Sequence, residues 1–85
     1  MKFDPAKEDA NVAKHRVSLA RAADFDLAFA MIDDRADYGE DRFIGYGLLD
    51  GLPHCLVFTT RDGTVRPISL RRAHDKEYRR YVQLD

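Results

Sequence analysis

Two Asp-Gly pairs, Asp50-Gly51 and Asp62-Gly63, bracket the run His54–Thr60. Asp-Gly between β-prone runs is a strong hairpin signal, because a tight two-residue turn needs residues that accept positive φ. The pairs therefore predict an antiparallel meander of Phe43–Leu49, His54–Thr60 and Thr64–Leu70. Leu56 and Phe58 face one way and Val57 the other, which marks the middle run as a central strand. Pro67 removes one ladder donor, so the last run is an edge strand or bonds on its other side there. Gly45 and Gly47 weaken the first run and mark a bulge or a close backbone approach.

Helical signals flank the meander. Met1–Asp4 is too short for more than an edge strand. Asp4-Pro5 reads as an N-cap followed by a first helical residue whose missing N–H costs nothing, which opens a helix over Ala6–His15. After a break at Arg16-Val17, Ser18 caps a second helix, Leu19–Ile32, in which Ala22, Phe25, Ala28, Phe29 and Ile32 follow i, i+3, i+4 spacing. Asp33–Asp41 is acidic, with Gly39 as a turn and Arg35–Tyr38 as a short polar strand. Ala73–Val82 closes the chain as a helix with Tyr78, Tyr81 and Val82 inward. The expected fold is α+β: an antiparallel sheet of three to four strands, two N-terminal helices and one C-terminal helix.

With 85 residues the chain reads as one domain, 1–85, of modest stability. No apolar run approaches the roughly 18 residues of a membrane span and no signal peptide opens the chain, so a cytoplasmic location is expected. The lone Cys55 can form no internal disulfide and reads as a small buried residue. The histidines His15, His54 and His74 lack metal-site spacing. A formal net charge of −1 argues against a general nucleic-acid coat protein. That sum, however, averages two unlike halves. Residues 1–50 carry seven Lys/Arg against eleven Asp/Glu, and residues 51–85 carry seven against four. Six of the seven C-terminal cations are arginine, whose planar fork suits phosphate. The acidic half is expected to face away from any anionic ligand.

Phe3-Asp4-Pro5 with Lys7, Asn11, Lys14-His15 and Val17-Ser18 resembles the N-terminal signature of the BrnT toxins. The resemblance continues through Arg42-x-Ile44-Gly45 and Leu56-Val57-Phe58-Thr59 with Arg61. It is strongest at Arg66-x-Ile68-Ser69-x-Arg71-Arg72-Ala73, Glu77 and Tyr81, and spans about residues 3–81. It implies a RelE-like fold and a ribonuclease toxin of a bacterial type II toxin–antitoxin pair. Such a toxin cuts RNA without a metal or other cofactor and halts translation. Its implied partner is a BrnA-like antitoxin of the ribbon-helix-helix kind, which neutralises it and carries the complex to operator DNA. The alternative is a catalytically weakened module that mainly binds the antitoxin and co-represses the operon; a third reading is RNA binding without chemistry. Departures from the family pattern bear on this choice: Phe3 for Trp, Arg16 for Gly, His54 for Arg, Pro67 for a β-branched residue and Leu70 for Ala.

Metal-free RNA cleavage needs a base for the 2′-OH, a cation for charge building on the phosphate and an acid for the 5′-oxygen. Arg71 is the expected transition-state cation, with Arg61, Arg66 and Arg72 as phosphate contacts. Glu77 is the expected general base; the ordinary alternative is a surface ion pair with Arg80 or Arg72. His15 titrates near neutrality and is the second acid–base candidate, and Lys14 beside it is a phosphate contact. A His and a Lys at a helix C-terminus equally suit the negative end of the helix dipole. Tyr81 either stacks on a base or completes the core. Asn11 and Lys7 read as structural.

Overall fold

The computed structural model describes residues 2–82. In chain order it contains α1 (Pro5–His15), a 3₁₀ turn (Leu19–Asp24), β1 (Asp26–Ile32), β2 (Arg42–Leu49), β3 (Leu52–Arg61), β4 (Thr64–Arg72) and α2 (Asp75–Tyr81). The strands form one antiparallel sheet in the order β1-β2-β3-β4. The α+β expectation and the meander hold, and β3 is central. Asp50 and Gly51 have φ of 53° and 74°, and Asp62 and Gly63 have 53° and 75°. Positive φ at both central residues gives a hairpin turn whose twist matches that of the strands it joins.

The second expected helix is corrected. Only Leu19–Asp24 is helical, as a 3₁₀ turn capped by Ser18 Oγ on the Ala20 N–H at 3.1 Å, and Asp26–Ile32 is a strand. The same residues satisfy two periods, because Leu27, Phe29 and Met31 also alternate. β2 decides between them by offering a free edge, and pairing there overrides the helical propensity of the alanines. The register shifts between Leu27 and Phe29, leaving Ala28 as a bulge. A Cβ at Gly47 would run into the Asp26 carbonyl, which is the close approach its sequence signalled. A smaller expectation also fails, since Arg35–Tyr38 is a bend and irregular backbone rather than a strand; Lys2–Asp4 forms no strand, and Met1 lies outside the described residues.

Both faces of the sheet are used. One carries Leu49, Leu56, Phe58 and Leu70, covered by Leu19 and Ala22 of the 3₁₀ turn. The other carries Tyr46 and Cys55, covered by Ala73 and Tyr78 at α2. Side-chain hydrogen bonds fix α1 to this frame. Asn11, 5% exposed, donates from Nδ2 to Leu70 O at 2.8 Å and to Val17 O at 2.8 Å. Its Oδ1 accepts from Leu70 N–H at 3.0 Å. The amide thus pairs with both backbone groups of one residue on the edge strand β4, as a further strand would. Glu8 ties α1 to the next turn, accepting from Ser18 Oγ at 2.6 Å and Leu19 N–H at 2.8 Å.

Two predictions follow from this frame. Asn11→Ala leaves the buried Leu70 N–H and C=O unpaired and is expected to cost about 2–4 kcal/mol in denaturant unfolding. Arg16 closes α1 at φ 61°, ψ 30°, the left-handed conformation that glycine adopts without penalty. Arg16→Gly is therefore expected to raise stability by about 1 kcal/mol in the same measurement.

Candidate active site

α1, the edge of β4, α2 and the segment after β1 surround an open cleft of about 600 Å³ on the α2 face of the sheet. Strand alternation sends Ile44 and Tyr46 of β2, Cys55 and Val57 of β3, and Ser69 and Arg71 of β4 to its floor. Lys14 and His15, the last two residues of α1, form one wall. Five of the eight expected site residues, Lys14, His15, Arg71, Glu77 and Tyr81, meet here.

Arg71 and Glu77 form a two-pronged pair. Arg71 Nη1 donates to Glu77 Oε1 at 2.9 Å and Nη2 donates to Oε2 at 2.6 Å. The Tyr46 hydroxyl donates to the same Oε2 at 2.8 Å. Arg71 above all, helped by Tyr46, holds the Glu77 carboxyl down at about 2. A carboxylate so acidic has little affinity for a proton near neutrality, and it is committed to Arg71 rather than free to take one. Its partner is also neither Arg80 nor Arg72. Glu77 instead aims the Arg71 fork. Burial and the bond to Glu77 push the Tyr46 hydroxyl far up, so it stays protonated.

His15 is half-buried beside this pair. Burial, with Lys14 and Arg71 nearby, lowers its pKa below the ordinary 6.5, so the imidazole is neutral at pH 7. His15 and the Arg71 guanidinium thus border the same cleft. Burial raises the pKa of the Cys55 thiol in the floor, which keeps it from being a thiolate nucleophile.

The other expected residues are distributed differently. Tyr81 is stacked on Tyr46, centroids 4.7 Å apart, and against Phe29 at 6.1 Å, so its ring packs α2 onto the sheet rather than waiting for a base. Arg61 and Arg66 lie outside the cleft at the β3–β4 turn, around a separate hollow with Lys2 and Thr64. They are not remote from it in register, since Arg66 and Arg42 both pair with Thr59. Arg72 alternates with Arg71, points to the opposite face and is exposed. His54 is also off the cleft, buried with its Nδ1 2.8 Å from Leu52 O, so it subtracts nothing from the cationic face. Leu70 is fully buried on the core face and leaves Arg71 undisturbed.

The far wall was not anticipated. Asp33 is buried and accepts two bonds from the Arg35 guanidinium, both 2.7 Å, one from the Arg35 N–H at 3.2 Å and one from the Tyr38 hydroxyl at 3.2 Å. The Arg35 guanidinium holds the Asp33 carboxyl well below the usual carboxylate range. Arg42 lies over the Tyr38 ring at 4.2 Å, with Nε 3.5 Å from Glu40 Oε2 and no hydrogen-bond partner among the described residues. The acidic segment therefore does not face away: Asp33 and Asp34 line the cleft, and Asp33 serves to hold Arg35. The period-2 spacing of Arg42, Ile44 and Tyr46 was the signal that could have found this wall.

The depressed carboxyl of Glu77 yields a stability prediction. A folded-state pKa of about 2, against an ordinary 4.5, contributes stability above pH 4.5 that is lost as pH falls toward 2. Glu77→Gln is expected to unfold about 1–2 kcal/mol more easily at pH 7 and to lose much of the acid dependence in that window, measured by thermal melts across pH.

No curated protein and no solved structure matches the chain significantly. The sequence model of a family described as "Ribonuclease toxin, BrnT, of type II toxin-antitoxin system" matches residues 3–77. The match takes in both walls of the cleft, the Arg71–Glu77 pair and the Lys14-His15 end of α1, and the chain belongs to the BrnT family of type II ribonuclease toxins.

Proposed function

We propose that the cleft cleaves RNA by attack of a ribose 2′-oxygen on the adjacent phosphate, without a metal. The single observation that carries this reading is that His15 borders the cleft in which Glu77, itself bonded by the Tyr46 hydroxyl, grips the Arg71 guanidinium with both oxygens. His15 takes the 2′-OH proton. Arg71 donates to the phosphate oxygens as negative charge builds on them, and its fixed orientation means no reorganisation is needed at that moment. The Lys14 ammonium, bordering the same cleft, supplies the proton for the departing 5′-oxygen. The products are a 2′,3′-cyclic phosphate and a free 5′-hydroxyl.

Arg35 and Arg42 offer cations to flanking phosphates, and Arg66 and Arg61 extend that line along the sheet. Cutting cellular RNA in this way would inhibit translation. A BrnA-like antitoxin of the ribbon-helix-helix kind would neutralise the toxin and bring it to operator DNA.

The test is incubation of purified protein with RNA in excess EDTA. Cyclic-phosphate ends are expected, and intact RNA at micromolar protein would overturn the reading. His15→Ala and Arg71→Ala are each expected to lower the rate about 100-fold or more. Arg71→Lys is expected to rescue little, since an ammonium cannot reproduce the fork. The base acts in its neutral form, so the rate should fall with acidification through a value below 6.5 and level off above it.

A further inference from the structure

The β1 edge is the least protected part of the sheet. β1 pairs with β2 on one side only, and among the described residues its other side has no partner strand. Six of its seven residues are exposed, Met31 alone being partly covered. Leu27, Phe29 and Ile32 are 48%, 38% and 56% exposed, large values for apolar side chains in a strand. Soluble proteins usually blunt such an edge with lysine, proline or a covering element, because it templates pairing with another chain. β1 has only the Ala28 bulge near one end, which leaves Phe29–Ile32 regular.

Charge decides what can cover it. Asp26 lies at its start and Asp34 just past its end, neither with an ion-pair partner among the described residues, whereas Asp24 is paired with Arg21 and Asp33 with Arg35. A second copy pairing antiparallel about Ala30 would set the unpaired Asp26 opposite Asp34 at both ends, which like-charge repulsion disfavours. A strand with an apolar centre and Lys or Arg at its ends meets both requirements.

We infer that β1 is a strand-addition site for a protein partner, taking an extended apolar segment with basic flanks; with the toxin–antitoxin reading, that partner is the antitoxin. The placement gives the contact a consequence. Met31 and Ile32 line the cleft, and Phe29 stacks against Tyr81 beside it. A strand added at β1 runs along the cleft rim and narrows RNA access, so neutralisation requires no contact with Arg71 itself.

The experiment is calorimetric titration of the purified full chain with the purified product of the adjacent reading frame. Asp26→Lys/Asp34→Lys is compared with the control Asp9→Lys/Asp62→Lys, each checked for folding by circular dichroism. The β1 double variant is expected to bind threefold or more weakly than wild type, with the control within threefold. Hydrogen exchange by NMR supplies a readout on wild type alone: alternate β1 amides, those facing away from β2, are expected to gain protection on binding. Wild-type binding with less than a threefold loss in the β1 variant, or with no new β1 protection, overturns the docking site and leaves the toxin–antitoxin reading standing. No binding by wild type overturns both. Self-association of the free chain through β1 at micromolar concentration, seen by sedimentation, overturns the choice of occupant.

Discussion

The contact between Asn11 and Leu70 is the one on which the arrangement depends. α1 is short and amphipathic only in part, and a helix of its length has little stability alone. Its outward alanines bury nothing, and its position comes from one buried amide that satisfies both backbone groups of Leu70 and also holds the Val17 carbonyl. The next residue along β4 is Arg71, and one helical turn beyond Asn11 is His15. A single hydrogen-bonded register therefore carries His15 and Arg71 to the same cleft. The edge strand gains as well, because the amide covers backbone that would otherwise be open.

The cleft is built by pairing groups that would be costly alone. Arg71 is held by Glu77, Glu77 by Tyr46, and Tyr46 by stacking on Tyr81. On the opposite wall Asp33 holds Arg35, and Tyr38 carries Arg42. In each case an acid or aromatic group fixes a guanidinium. Such positioning matters for a phosphate-directed site, where the useful quantity is a cation already aimed at the transition state. It also reconciles the acidic composition of residues 1–50 with the proposed anionic substrate, because the Asp33 charge is paired with Arg35.

What was legible in the sequence was local. The Asp-Gly turns, the Asp4-Pro5 helix start, the break at Arg16-Val17 and the Ser18 cap each reflect the conformational demand of one or two residues, and each was readable without knowledge of the fold. The strand β1 was not, because Ala22 to Ile32 fits two periods and the deciding partner is β2, more than ten residues away. Arg71, Glu77, Lys14 and His15 were reachable through the resemblance to BrnT sequences, yet the pairing of Glu77 with Arg71 was not. The expected partners of Glu77 lay three residues along the helix or just before it, whereas the real one comes from the end of β4. Alternation alone separates Arg71 from Arg72. The Arg35–Asp33–Tyr38 wall required knowing that an acidic loop folds back over the sheet, which composition had suggested would point away.

The central claim is that His15 and Arg71, from distant parts of the chain, form one electrostatic unit. The most direct test is an NMR titration of the His15 imidazole in the wild-type protein and in Arg71→Gln. The account predicts a pKa below the ordinary 6.5 in the wild type and a rise when the Arg71 charge is removed. A His15 that titrates at the ordinary value in both proteins would contradict it.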